Sequence, residues 1–102
     1  MEIKTNISNQ NLIVSLSGRL DTITSSQLEA EIDRFNLEDF ETVTLNMREL
    51  EYISSAGLRV VLKIHKKMSK LGGKLVLVNV SSMVMEIFTM TGMADFLNIE
   101  KS

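Results

Sequence analysis

Apolar and polar residues alternate along the first part of the chain. The alternation in residues 2–7 predicts a strand with one apolar face, and the polar run 8–11 suits a hairpin turn. Residues 12–17 predict a second strand, which Gly18 is expected to end. Residues 18–22 then predict a loop with room for a bulge at the glycine.

Helical spacing follows this loop. Leu28, Ile32 and Phe35 recur at i, i+4 and i+7, which predicts an amphipathic helix. In the acidic connection after it, Leu37 and Phe40 are expected to anchor on the core. Several side-chain oxygens could cap the start of this helix: Asp21, Thr22, Thr24 and Ser25.

The middle of the chain predicts a central strand over residues 42–47 and a long helix over residues 56–71. Ser54 and Ser55 lie where the extended segment turns into that helix. Gly72-Gly73 supplies a left-handed cap at its end. The apolar stripe of the helix consists of Ala56, Val60, Val61, Ile64, Met68 and Leu71.

Residues 74–80 contain a continuous apolar run, typical of a strand covered on both faces. A third helix is expected from the caps Ser81 and Ser82 to Gly92, then a short helix or strand over residues 93–99 and a frayed tail over residues 100–102. The predicted apolar face of this third helix consists of Val84, Ile87, Phe88 and Thr91. The order β-β-α-β-α-β-α indicates an α/β fold: a mixed sheet of four or five strands with helices mainly on one face.

Composition narrows the class of protein. The chain has 102 residues, 44% of them hydrophobic and 24% charged, which suits a single domain spanning residues 1–102. Without cysteine it has no disulfide and no thiolate metal site. A net charge of −2 argues against nucleic-acid binding. No apolar run is long enough to span a membrane and no signal peptide is visible, so we expect a cytoplasmic protein.

Catalytic motifs are missing from the sequence. The lone histidine, His65, has no partner implied by spacing, and neither a GxxxxGK[ST] nor a GxGxxG phosphate loop occurs. The acidic residues are scattered rather than paired. We therefore expect no enzyme, no metal site and no cofactor.

The serine turn offers two interpretations. Ser54 is a good helix N-cap, and from the turn alone a purely structural role suffices. A helix N-terminus also attracts phosphate, and small Ala56 and Gly57 would let a neighbouring chain approach Ser55. An exposed serine held on a helix start is then a place where a charge can be added and removed.

Two surface patterns also remain open. The basic stripe on the long helix is either a solvated face or a docking surface for an acidic partner. Its members are Arg59, Lys63, Lys66 and Lys70. The methionines of the last region either fill core gaps or form a flexible, partly exposed protein interface. They are Met83, Met85, Met90 and Met93.

Three motifs in order carry a family resemblance: Gly18-Arg19-Leu20-Asp21, the segment Tyr52–Arg59, and Gly72-Gly73-Lys74-Leu75. Together they resemble the STAS family, and more narrowly the stand-alone bacterial anti-sigma factor antagonists. The resemblance implies a phosphorylation-switched signalling module that regulates transcription by partner switching. Unphosphorylated, it would bind an anti-sigma factor that is also a serine kinase and release that factor's target.

The resemblance also implies the other partners. A PP2C-type phosphatase would remove the phosphate, and ATP and Mg²⁺ would belong to the partners. The chain itself would be a monomer or weak dimer that contacts neither nucleic acid nor membrane. The alternative is a STAS module of another assembly, such as a stressosome-like or ligand-sensing complex.

The family motif places the phosphorylated serine at Ser55, with Ser54 as second choice, and puts Asp21 nearby. Many members read Asp-Ser-Ser-Gly or Asp-Ser-Thr-Gly here. In this chain Ser54 replaces the aspartate and Ala56 the second hydroxyl residue, which leaves open whether the switch works. The expected partner-binding residues are Asp21, Thr22, Ser54, Ser55, Ala56, Gly57, Arg59 and Lys63.

Overall fold

The computed structural model describes residues 1–100, so residues 101 and 102 of the expected frayed tail lie outside the described part. The strands are β1 (Glu2–Ser8), β2 (Asn11–Leu20), β3 (Thr42–Ile53), β4 (Lys74–Val78) and β5 (Asn98–Ile99). The α-helices are α1 (Thr22–Asp33), α2 (Ser55–Lys70) and α3 (Ser82–Met90), with 3-10 turns at Leu37–Asp39 and Met93–Asp95.

The strands lie in the sheet in the same order as in the chain, β1-β2-β3-β4-β5. β1 and β2 form an antiparallel hairpin, whereas β2, β3, β4 and β5 pair in parallel. Parallel neighbours need crossover connections, and α1, α2 and α3 lie in these connections. The predicted mixed sheet with β3 at its centre is confirmed.

One face of the sheet carries the core. Alternate residues of β2 and β3, with Leu75 and Leu77 of β4, join residues of all three helices in a single buried cluster. From the helices this cluster includes Leu28 and Ile32 of α1, Val61 of α2, and Val84 and Phe88 of α3. The helices therefore pack on the same face, as expected from their spacing.

As predicted from its continuous apolar run, β4 is buried on both faces. Leu75 and Leu77 join the core cluster, but Val76 lies outside it although only 6% of its surface is exposed. The register pairs Val76 with Thr44 and Asn98. One face of β4 therefore lies in the core cluster, and the other is buried outside it.

Gly18 does not end β2, as the sequence suggested. The strand continues to Leu20, with register shifts beside Ser15 and Gly18. Gly18 has φ +100, a backbone conformation that accommodates the predicted bulge. The strand continues beyond it because Arg19 and Leu20 still pair with β3.

The helix ends agree with the predicted caps. The Gly73 and Gly72 N–H groups donate to the Met68 and Ser69 carbonyls at 2.9 and 3.2 Å, which is the Schellman arrangement. Leu71, predicted in the apolar stripe, caps this end and is 45% exposed. Among the C-terminal methionines, Met93 is buried, Met85 is half-buried, and Met83 and Met90 are exposed.

Candidate functional site

The ends of β2 and β3 lie side by side at one edge of the sheet. Their last residues, Leu20 and Ile53, are register partners. The next residues, Asp21 and Ser54, are the N-caps of α1 and α2. Parallel strands end at the same edge, so the chain brings two helix N-termini and both caps together.

Ser54 uses its hydroxyl entirely within the fold. Its Oγ donates to the Leu20 carbonyl at 3.0 Å and accepts from the Gly57 N–H at 3.2 Å. Its backbone N–H donates to the same Leu20 carbonyl at 2.9 Å. The predicted cap is confirmed, and this half-buried hydroxyl also joins α2 to the end of β2.

Ser55 differs from its neighbour. It is the first residue of α2 and is exposed. Within residues 1–100 its hydroxyl has no hydrogen-bond partner. Of the two serines, Ser55 therefore offers the accessible nucleophilic oxygen.

Asp21 forms a capping box with Thr24. Its Oδ1 accepts from the N–H groups of Ile23 and Thr24, both at 3.0 Å, and the Asp21 N–H donates to the Thr24 hydroxyl at 2.8 Å. The hydrogen bond from the Thr24 N–H is the main cause that lowers the Asp21 pKa; the Thr24 hydroxyl, the Ile23 N–H and the Arg19 charge act in the same direction. All hydrogen bonds of the Asp21 carboxylate within the described chain use Oδ1, and Oδ2 has no donor there.

Gly57 is buried at the base of the site. A Cβ there would lie 2.8 Å from Ile53 Cγ1 and 2.9 Å from Leu20 Cγ. Its small size therefore lets α2 approach the ends of β2 and β3. The expectation that Gly57 leaves room for a neighbouring chain is wrong, because the space is filled from inside the protein.

A shallow groove of about 360 Å³ separates α1 from α2 beside the serine turn. It brings together four of the predicted partner-binding residues: Thr22, Ala56, Arg59 and Lys63. The rest of its lining is Ser25, Ser26, Glu29 and Val60. The N-terminal halves of two helices thus form one continuous surface.

The basic stripe is partly neutralised. Lys63 Nζ lies 2.6 Å from Glu29 Oε2, and the hydrogen bond to this carboxylate raises the Lys63 pKa. Lys67, outside the predicted stripe, lies 3.4 Å from Asp33. Arg59 forms no ion pair within residues 1–100. The stripe is therefore neither uniformly solvated nor uniformly available to an acidic partner.

Two residues near the site were missed. Ile23, in the first turn of α1, is 74% exposed. The sequence could have indicated this exposure, because Ile23 does not share the helical spacing of the buried residues Leu28 and Ile32. Arg19 stacks over the Tyr52 ring at 4.3 Å, a contact that depends on the pairing of two distant strands.

The described chain offers no metal centre: within residues 1–100 no group of three or more histidine, aspartate or glutamate side chains is placed to hold an ion. Nor does any helix of this part have the length and apolar character needed to cross a membrane. The His65 ring packs 5.5 Å from that of Phe96, and its Nδ1 is buried without a partner among the described residues.

The chain is similar to known proteins along nearly its whole length. The family model described as STAS domain matches residues 2–102. The Bordetella bronchiseptica protein BtrV, whose name assigns it provisionally to the anti-sigma factor antagonists, is 36% identical over 89% of this chain and 78% of its own length. The anti-sigma F factor antagonist of Paenibacillus polymyxa is 30% identical over 86% of this chain and 76% of its own.

Solved structures show the same fold. The anti-sigma factor antagonist SpoIIAA in its unphosphorylated form superposes with a TM-score of 0.79 at 18% identity, covering 99% of this chain and 89% of SpoIIAA. Another anti-sigma factor antagonist, from Mycobacterium paratuberculosis, gives a TM-score of 0.85 at 19% identity, covering 96% of this chain and 83% of its own.

Proposed function

The chain belongs to the STAS domain family, and we propose that it is an anti-sigma factor antagonist controlled by phosphorylation of Ser55. The unphosphorylated protein binds an anti-sigma factor that is also a serine kinase, and this binding releases the kinase's target. The kinase then transfers the γ-phosphoryl group of ATP to Ser55 Oγ; the hydroxyl proton is lost and ADP leaves. A PP2C-type phosphatase hydrolyses the phosphate ester and restores the binding form.

One observation carries this proposal: the two adjacent serines have opposite environments. The Ser54 hydroxyl is held by the Leu20 carbonyl and the Gly57 N–H, whereas Ser55 is exposed beside the groove. A kinase can reach the Ser55 oxygen without opening a helix cap, while phosphorylation of Ser54 would break the cap. Ser55 is also the position that the family motif favours.

Asp21 supports the contact face from the neighbouring strand end. Its Oδ1 fixes the first turn of α1, which leaves Oδ2 to accept a hydrogen bond from a partner. This carboxylate is charged at neutral pH, as any ordinary aspartate is, and its lowered pKa keeps it charged under more acidic conditions as well. Asp21 therefore both shapes the site and offers it a fixed negative charge.

The proposed contact residues are exposed or half-buried around Ser55: Asp21, Thr22, Ile23, Ala56 and Arg59. Ser54 acts indirectly, by holding the turn. Lys63 contributes less than the sequence suggested, because Glu29 already pairs with it. Adding a phosphate within this face places a charge of about −1.5 to −2 where the partner must desolvate it, which opposes binding.

The test uses serine kinases of the histidine-kinase-like ATPase fold from the same organism. Each is incubated with the purified chain, ATP and Mg²⁺, and the products are analysed by intact mass and phosphopeptide mapping. We expect one phosphate, on Ser55, and loss of the kinase complex when it is added. Ser55→Ala should abolish the modification.

Ser82→Ala is the matched control. Ser82 follows the N-cap Ser81, whose hydroxyl accepts from the Val84 N–H at 3.2 Å, the distance found for Ser54 and Gly57. Ser82 is also exposed at the first position of a helix. Phosphate on Ser54, or on neither serine of the turn, would contradict the proposal.

A further inference from the structure

Arg59 lies one helical turn after Ser55 on α2. Residues four apart on a helix share a face, with their Cβ atoms about 5–6 Å apart. Both side chains are exposed, and Arg59 has no ion-pair partner within residues 1–100. The next basic residue on this face, Lys63, is held by Glu29 at 2.6 Å. Arg59 is therefore the cation with an uncommitted charge beside Ser55.

We propose that Arg59 binds the phosphate carried by Ser55, so that phosphorylation also withdraws this guanidinium from the partner-contact face. The inference rests on the proposed function for the presence of the phosphate. The guanidinium is a planar fork of N–H donors that matches two phosphate oxygens, and such charge-assisted pairs are among the strongest hydrogen bonds in proteins. The bond forms within one helix, so no second segment has to move.

The other nearby cations are less well placed. Lys63 would have to leave Glu29, and Arg19 stacks on the Tyr52 ring at 4.3 Å. Lys66 comes eleven residues after Ser55, about 16 Å along the helix axis, since an α-helix rises about 1.5 Å per residue. The helix dipole also favours the phosphate, but it acts equally in every variant of these basic residues.

The capture of Arg59 gives phosphorylation two effects on the partner. It places a dianion in the contact face, and it removes a positive charge that an acidic residue of the partner could otherwise meet. The partner therefore loses an attractive contact and gains a repulsive one in a single modification.

The experiment needs neither kinase nor partner. Phosphoserine is incorporated at position 55 during translation, and the phosphate is titrated by ³¹P NMR in wild type, Arg59→Gln, Arg59→Lys and Lys66→Gln. The second pKa of phosphoserine is ordinarily about 6, and a nearby cation lowers it. We expect Arg59→Gln to raise it by about 0.5 unit relative to wild type, about threefold in the proton dissociation constant.

Lys66→Gln makes the same change in net charge at a distance beyond the screening length of about 8 Å at physiological ionic strength, so its titration should match wild type. Arg59→Lys should give a value between those of wild type and Arg59→Gln, because it keeps the charge and loses the fork. Equal pKa values in Arg59→Gln and wild type would overturn the inference. Failure of every kinase to modify Ser55 would instead overturn the proposed function and leave this titration unchanged.

Discussion

Ser54 donates two hydrogen bonds to a single atom, the carbonyl oxygen of Leu20: one from its N–H at 2.9 Å and one from its hydroxyl at 3.0 Å. The two residues are 34 positions apart in the chain. The same hydroxyl accepts from Gly57 in the first turn of α2. One small side chain thus caps a helix and fixes that helix to the neighbouring strand.

Ser54→Ala should therefore destabilise the protein, whereas Ser55→Ala should not. Loss of a serine N-cap costs about 1 kcal/mol, and the bond to Leu20 is lost with it. The exposed Ser55 side chain makes no such contacts, so its removal should stay within about 0.5 kcal/mol. Urea denaturation of both variants measures the difference. Equal stabilities would contradict the assigned roles.

Ser55→Asp should weaken binding to the anti-sigma partner while leaving the fold intact. A carboxylate in the first helical turn gains about 0.3–1 kcal/mol from the helix dipole. An unpaired charge in a protein interface costs about 2–5 kcal/mol, so the loss of binding should dominate. Partner affinity and melting temperature are measured for wild type, Ser55→Asp and Ser55→Ala. The alanine variant should keep its affinity for the partner and should not lose it when the kinase and ATP are added.

Ser82→Asp separates an effect of position from an effect of charge. It adds the same carboxylate to the first residue of α3 behind an equivalent cap. Its stability should resemble that of Ser55→Asp and its partner affinity that of wild type. If Ser55→Asp binds as tightly as Ser82→Asp, the charge-switch mechanism is wrong at this position.

Asp21 should make stability depend on pH in the acid range. Its pKa is lowered in the folded state, chiefly by the Thr24 N–H, so the unfolded chain takes up a proton at higher pH than the folded one. The stabilisation is complete above the ordinary aspartate pKa of about 3.9 and is lost as the pH falls through the lower folded value. Asp21→Asn keeps a capping side chain without the titration. Urea midpoints of wild type and Asp21→Asn are measured from pH 7 down to pH 2.5, and the difference between them should begin to shrink below about pH 4. A difference that stays constant over this range would contradict the linkage.

Ile23→Ser should reduce partner affinity by about tenfold, which is typical of truncating an interface side chain worth more than 1 kcal/mol. Ile23 is 74% exposed next to the capping box, so its backbone is held and its side chain is presented outward. Ile7→Ser is the control, because Ile7 is 54% exposed on β1, far along the sheet from the serine turn. Affinity measured by calorimetry should distinguish them, and equal losses would indicate a non-specific apolar effect.

Gly57→Ala should destabilise the protein by about 1–2 kcal/mol. Alanine gains up to about 1 kcal/mol of helix propensity over glycine, but overpacking of a filled core costs about 1–3 kcal/mol. The new Cβ would lie within 3 Å of the buried side chains of Leu20 and Ile53, so either these side chains or α2 must shift. Thermal unfolding measures the net effect. A stabilised variant would show that α2 can shift away from the strand ends.

Local features of the chain predicted much of this architecture. The alternation in β3 and the apolar stripe of α2 are properties of neighbouring residues, as is the capping oxygen of Ser54. The continuation of β2 past Gly18 is not local, because it depends on pairing with Leu50, 32 positions later. The pairing of Val76 with Thr44 and Asn98 has the same origin.

In the candidate site, too, the sequence predicted what neighbouring residues determine and not what depends on distant contacts. The sequence indicated that Asp21 and Ser54 were caps, and hydrogen bonds confirm both roles. It could not show that Glu29 neutralises Lys63, since these residues lie on different helices. Gly57 was misinterpreted because a glycine allows close approach either by another protein or by side chains of the same chain. Only the packing of Leu20 and Ile53 distinguishes the two.

The agreement between strand order and chain order bears on biosynthesis. Each strand pairs with the strand that precedes it in the chain, so the partner of every emerging strand has already been synthesised. The chain up to the start of α2 already contains both Leu20 and Ser54 and the β2–β3 pairing that brings them together. The residues from β4 onward then add to an existing edge, at a distance from the serine turn. That later part nevertheless completes the core under α2, because Leu75, Val84 and Phe88 join the same cluster as Val61, so the helix that carries Ser55 gains its full support only when the whole domain has been made.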